Sequence, residues 1–147
     1  MPHSFINKTR LLVATLLFTV LSACSVVNSD ATLYQRLGGA VGVENITELF
    51  ILEIARDERV ITYFEDSNVQ RFREKFVEHL CMITDGPCEY TGDTMIDIHV
   101  GMDVTEGAFT AIVEDLIEAM KKADVAIGLQ NQVLDRLAGL RGEIIYR

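Results

Sequence analysis

Apolar residues are distributed along this chain in two unlike ways. Leu11 to Leu21 is a continuous apolar run of about eleven residues, preceded by Lys8 and Arg10 and by no acid. From Leu33 onward the apolar residues are spaced, and the spacing is helical. Ile46, Leu49, Phe50 and Ile54 share one helical face before a polar break at Arg56 to Arg59. Val69, Phe72, Phe76, Leu80 and Ile83 follow in steps of three or four, with Ser67 or Asn68 placed to cap the start. Phe109, Ile112, Val113, Leu116, Ile117 and Met120 form the widest stripe, behind Thr105 as N-cap, and Ile127 or Leu129 through Val133, Leu137 and Leu140 predicts a last helix. Between the second and third helices, Asp85 to Met102 is rich in turn formers and has no long period; a loop of that length in a small domain is usually functional or braced. No run alternates apolar with polar, and Pro87 is the one proline after Leu33, so the fold class is all-α.

The run at Leu11 to Leu21 falls short of the roughly twenty apolar residues that cross a bilayer and fits the h-region of a secretory signal peptide. Its end, Leu21-Ser22-Ala23-Cys24, resembles the lipobox of bacterial lipoproteins, in which cleavage falls just before the Cys and its thiol is acylated. The alternative is an ordinary cleaved signal followed by a coincidental Cys. With cleavage before Cys24 the chain divides into a signal peptide at 1–23, a tether at 24–32 and a domain at 33–147. Several acyl chains hold a protein firmly where one does so only marginally, so the membrane belongs to the anchor and not to the domain. The localisation expected is the bacterial cell envelope, on the periplasmic side. Ser25, where an Asp would favour the inner membrane in enteric bacteria, tilts it toward the outer membrane.

Composition then fits one compact domain. The full 147 residues are 49% hydrophobic with a formal net charge of -9; without the two leader cations the mature 124 residues carry 11 basic and 22 acidic side chains, a net of -11. So acidic a domain is a poor partner for a phosphate backbone, and nucleic acid is excluded.

A set of short motifs carries more. Leu33-Tyr34-Gln35-Arg36-Leu37-Gly38-Gly39, Tyr63-Phe64, Asp85-Gly86-Pro87-Cys88-Glu89-Tyr90-Thr91-Gly92, His99, and Thr105 to Phe109 resemble the group I truncated haemoglobins in order and spacing, from about Leu33 to Leu140. The resemblance implies a two-over-two helical sandwich around haem b, with His99 as the proximal iron ligand. A neutral imidazole is a common haem donor. Met95, Ile98, Met102 and Val104 are its apolar neighbours, Phe64 matches the aromatic that lies flat on the haem, and Phe109 closes the proximal side. His3 leaves with the leader, so His79 and His99 are the histidines of the mature chain.

The resemblance also marks departures. Many members hydrogen-bond bound oxygen through a Tyr on the second helix and a Gln on the distal helix. Aligned through Phe64, these positions hold Ile51 and Phe76, so both donors are missing. A buried hydrogen bond to a partly charged acceptor contributes roughly 1.5 to 3 kcal/mol. Its loss puts oxygen storage and oxygen-dependent nitric oxide oxidation in doubt, and affects nitric oxide and carbon monoxide less. Phe72, Phe76 and His79 share a face, which allows His79 to reach the pocket from its far end, although a surface or structural role is the favoured reading over ligation. Lys75 lies where some relatives supply a sixth iron ligand; a contact to a haem propionate is preferred, since a Lys binds iron only when neutral. The expectation is an apolar distal pocket and five-coordinate reduced iron.

Cys81 and Cys88, in a compartment where disulfides persist, are expected to form a structural bridge between the distal helix and the Gly-Pro loop, over the alternative of two free thiols. The function expected is a lipid-anchored haem protein that binds a diatomic gas. Redox catalysis on nitric oxide or peroxide would need an electron donor this chain does not encode. The rival from another class is a haem-free helical lipoprotein that binds a protein partner, with His99 structural.

Overall fold

A computed structural model describes residues 30–147. The leader, Cys24 and the first part of the tether lie outside the described residues. Among the described residues every regular element is helical: α1 (Leu33–Arg36), α2 (Gly39–Ile54), a 3-10 turn (Ile61–Phe64), α3 (Val69–Ile83), α4 (Met95–His99), α5 (Glu106–Lys122), α6 (Ile127–Ala138) and α7 (Arg141–Ile144).

Local chemistry sets most of the boundaries. Thr32 and Gln35 form a reciprocal capping box on α1, the Thr32 hydroxyl accepting from the Gln35 amide while the Gln35 side chain accepts from the Thr32 N–H. Gly38 and Gly39 then turn the chain into α2 at φ +98° and +64°, a region that glycine enters without the Cβ clash other residues meet. Asn68, Thr94 and Thr105 cap α3, α4 and α5 through their side chains. Lys121 and Lys122 in the last turn of α5 complement the partial negative charge there.

The long helices pack as two pairs laid across each other. α2 makes its most extensive contact with α5 and its next with α3, while α6 closes against both α5 and α3. The core where they cross is Val43, Ile46 and Phe50 from α2, Leu80 from α3, Ala111, Leu116, Ala119 and Met120 from α5, and Val133 from α6. Four of the seven helices are those expected from apolar spacing. α1, α4 and α7 are too short to show a period, and α4 sits inside the stretch that reads as an irregular loop.

The loop before α4 is fastened to α3. Cys81 and Cys88 are joined by a disulfide with their Cα atoms 5.8 Å apart. Tyr90 donates to the Asp93 carbonyl at 2.8 Å, which folds its ring over Gly92, where a Cβ would lie 2.3 Å from the phenol oxygen. The Tyr-Thr-Gly motif is thus one packed unit. On the far side of α4, the Arg147 carbonyl accepts from the amides of Gly101 and Asp103, so the C-terminal residue straps the loop that follows His99.

Candidate functional site

Between α3, α4, α5 and the α6–α7 end lies a cavity of about 640 Å³. That volume is within the roughly 300 to 1,000 Å³ of ordinary cofactor sites. It brings together His99, Phe64, Phe72, Lys75, Phe76, His79, Met95, Ile98, Met102, Val104 and Phe109. Phe50, Tyr63, Tyr90, Ile112, Leu116 and Leu137 complete much of the wall. Of these, Phe50, Ile112, Leu116 and Leu137 were legible in sequence only as members of apolar stripes, and Tyr90 only as part of a motif.

One expected residue lies elsewhere. Ile51 lines a separate cavity of about 80 Å³ between the end of α2, the 3-10 turn and the start of α3. The buried face of α2 is Val43, Ile46, Thr47, Phe50 and Ile54, and Ile51 is one residue, about 100°, around the helix from Phe50. The residue that α2 presents to the large cavity is therefore Phe50, 3% exposed, and not Ile51. The correction leaves the wall without a donor from α2.

Phe50, Phe64, Phe72 and Phe76 make one aromatic cluster on the distal side. Phe50 lies 4.9 Å from Phe76 and 6.4 Å from Phe72 between ring centres, Phe72 stacks on Phe76 at 5.7 Å, and Phe64 meets Phe72 edge-on at 5.4 Å. Such offset and edge-on pairs rigidify the wall beyond their burial alone.

The two histidines differ in how they are held. On α4, His99 Nδ1 lies 2.7 Å from the Met95 carbonyl oxygen. A carbonyl only accepts, so Nδ1 carries the proton and Nε2 keeps its lone pair; this is the arrangement that fixes tautomer and ring orientation in metal-ligating histidines. His79 is more deeply buried, 8% exposed, and its ring meets Tyr90 edge-on at 5.2 Å with no hydrogen bond among the described residues. Burial pushes its pKa below the ordinary imidazole value, so the ring is neutral at neutral pH. A surface role for His79 is overturned by this burial.

Lys75 neither points free into the cavity nor waits for a carboxylate. Its Nζ donates to Glu78 Oε1 at 2.8 Å, Glu78 Oε2 at 2.9 Å and Thr91 Oγ1 at 2.6 Å. Glu78 Oε2 also accepts from the Thr91 amide at 3.0 Å and the Thr91 hydroxyl at 2.9 Å. These bonds hold the Glu78 carboxyl down at about 2, the Lys75 contact first among them. Of the other cations on the lining, Arg71 pairs with Asp93 at 3.0 Å and Arg141 with Glu106.

An apolar, aromatic slot with one imidazole offering Nε2 and cations along its lining has the donor set and the volume that haem requires. A family profile described as bacterial-like globin matches residues 32–146. Among similar proteins, a group 1 truncated haemoglobin of Mycolicibacterium paratuberculosis is 31% identical over 78% of this chain and 84% of its own length. The chain belongs to the group 1 truncated haemoglobins. A further relative, from Tetrahymena thermophila, is 29% identical over 76% of this chain and 89% of its own. Among solved structures, the Fe(III) truncated haemoglobin of Tetrahymena pyriformis superimposes with a TM-score of 0.77 at 26% identity, over 80% of this chain and all of that one. A group II truncated haemoglobin from Bacillus anthracis, 20% identical with a TM-score of 0.70, shares the fold. The two-over-two globin fold and haem as cofactor follow, and the haem-free reading is set aside. His99 would hold the haem iron, and of the cations on the lining Arg71 and Arg141 would have to exchange Asp93 and Glu106 for a haem carboxylate.

Proposed function

We propose that this truncated haemoglobin is a lipid-anchored protein of the bacterial cell envelope that binds a diatomic gas at a five-coordinate haem iron, with His99 as its proximal ligand and an apolar distal wall. The observation that carries the reading is the hydrogen bond from His99 Nδ1 to the Met95 carbonyl at 2.7 Å, which leaves Nε2 directed by a fixed partner in the wall of the cavity. Haem supplies the iron at which the gas binds; the chain supplies everything that selects and retains it.

On the distal side Phe50, Phe72 and Phe76 exclude water and offer no hydrogen bond. With no donor from these rings, a gas that needs a distal donor for retention, as oxygen does, is held weakly by them, while carbon monoxide and nitric oxide lose little. This favours transient gas binding over storage. Redox turnover on nitric oxide or peroxide would draw on a separate electron donor. The anchor reading rests on Leu21-Ser22-Ala23-Cys24, with outer-membrane sorting favoured by Ser25.

Two experiments test this. The purified protein mixed with haem should develop a Soret band that His99→Ala abolishes; a band of equal intensity in the variant would refute His99 as the ligand. In cells, the protein should fractionate with membranes and Cys24→Ala should release it, whereas a soluble wild-type protein would refute the anchor.

A further inference from the structure

Five residues are too few for a helix that stands alone, since isolated helices shorter than about 12 to 15 residues are marginal in water. α4 is that short, and it has no buried residue to fix it to the core. Ile96 and Ile98 on it are 44% and 41% exposed, and Val100 at its end is 65% exposed. The start of α4 is held by the Thr94 cap and, through Asp93, by Tyr90 and Arg71. His99 is its last residue, at the end where an unsupported helix frays.

Residues 141–147 hold that end. Among the described residues α4 packs more extensively on α7 than on any other helix, and α7 likewise on α4. The chain beyond α7 then returns along the loop that begins on His99, whose carbonyl accepts from the Met102 amide at 3.1 Å. The Arg147 carbonyl accepts from the Gly101 amide at 2.9 Å and the Asp103 amide at 3.2 Å, and the Tyr146 amide donates to the Val104 carbonyl at 3.0 Å. Gly101, Asp103 and Tyr146 stand at φ +81°, +48° and +53°, so both sides of this clasp pass through left-handed backbone to meet. The Arg147 guanidinium donates back to the Gly142 carbonyl, which ties the clasp to α7. Arg141 and Ile144 of α7 lie on the cavity lining.

We propose that Tyr146 and Arg147 are positioning residues for His99: their backbone clasp fixes the last turn of α4 and with it the hydrogen bond from His99 Nδ1 to the Met95 carbonyl. This rests on the reading of His99 as the proximal ligand. Met95 lies on the same helix, so its carbonyl orients the ring with respect to α4 alone, and the clasp orients α4 with respect to the cavity. The main chain does this work, since the Tyr146 side chain is exposed and lies off the cavity lining.

Two variants of the haem-loaded protein, Tyr146→Pro and Tyr146→Gly, separate the backbone from the ring. Proline has no amide to donate and cannot take a positive φ, while glycine keeps the amide and enters that region freely. The preceding Ile145 is already extended, at ψ 131°, as a residue before proline prefers. The readouts are solvent exchange of the His99 Nδ1 proton and of the Val100 amide, which closes the last turn of α4 on the Ile96 carbonyl, and the rate of haem transfer to a scavenger protein. In Tyr146→Pro both protons should exchange about five- to tenfold faster, as when local opening breaks one net hydrogen bond fewer. Haem should leave about tenfold faster, the low end of the roughly 10- to 100-fold cost of losing an outer-shell partner of a metal ligand. The core amides of Ala111 and Met120 should exchange as in the wild type, and Tyr146→Gly should match the wild type throughout. A Tyr146→Pro protein in which either readout stays at the wild-type value would overturn the proposal. An equal change in Tyr146→Gly would overturn it too, since the exposed ring would then be what matters. So would equally faster exchange at Ala111 and Met120, or loss of helical circular dichroism, since the clasp would then support the core and not α4. Failure of the wild type to take up haem would instead refute the assignment on which the proposal rests.

Discussion

The two walls of the cavity each carry a histidine, and the more deeply buried one is the less constrained. His79 on α3 is 8% exposed and has an aromatic neighbour but no hydrogen bond, whereas the half-buried His99 on α4 has its Nδ1 bound at 2.7 Å by a carbonyl one turn back. Burial alone does not make a ligand. What fits His99 for iron is a partner that fixes the tautomer and the direction of the remaining lone pair. The rest of the distal wall obeys the opposite logic: its phenyl rings are apolar, and its one lysine is held by Glu78 and Thr91.

The largest perturbation of this contrast is His99→Ala, which removes the imidazole oriented by the Met95 carbonyl. Haem affinity should fall by about 100-fold or more, since loss of a mere outer-shell partner of a metal ligand already costs roughly 10- to 100-fold, as read by haem transfer to a scavenger protein. His79→Ala should leave affinity within a few fold. Equal losses in both variants would erase the distinction between the two walls.

Next comes the covalent link between the walls. The Cys81–Cys88 bridge ties α3 to the loop that leads to α4 across a sequence separation of 7 residues. Replacing both cysteines by Ser should lower the unfolding free energy by about 2 to 3 kcal/mol, the loop-closure contribution for a short ring. Denaturant melts of the two forms measure it, and unchanged stability would mean that the remaining contacts at Tyr90 and Thr91 hold the loop alone.

A third variant gives the distal wall what it lacks. Phe76→Gln places an amide among the phenyl rings. A hydrogen bond there, at about 1.5 to 3 kcal/mol, should slow oxygen release by roughly tenfold to a hundredfold in flash or stopped-flow experiments. An unchanged rate would show that retention is set elsewhere.

How much of this the sequence discloses depends on length and on rotation. α2, α3, α5 and α6 are long enough for their apolar spacing to be read, and the caps at Asn68 and Thr105 stand where the sequence puts them. α4 has five residues, too few for any period, and only the likeness to a family located His99. Ile51 was misplaced because alignment counts positions, while access to a cavity depends on helix rotation, and Phe50 is on the inner face. The hydrogen bonding of Lys75 was not legible because Thr91, 16 residues away, reaches it only after the loop folds back. His79 was legible as a face but not as a burial.

The smallest effect lies outside the cavity and serves as a control. Asp115 on α5 is 8% exposed with Oδ2 lacking any hydrogen-bond partner, and burial first, then the charge of Asp57, raises its pKa from 3.8 to about 6. Asp57 itself is held low by Arg59, so of this pair Asp115 is the one that takes the proton. The folded state therefore binds more protons than the unfolded state between pH 4 and 6. Stability is highest below that window and falls as pH rises through it. Asp115→Asn should remove this slope and raise stability at pH 7 by about 1 to 2 kcal/mol, with gas binding unchanged. A pH-independent melt of the wild type would contradict the shift.

The most direct measurement is resonance Raman spectroscopy of the ferrous, haem-loaded protein with its histidines labelled with ¹⁵N. A single iron–imidazole stretch that moves with the label, disappears in His99→Ala and persists in His79→Ala is the expected result. A stretch that survives loss of His99, or that vanishes with His79, would contradict the assignment of the proximal wall.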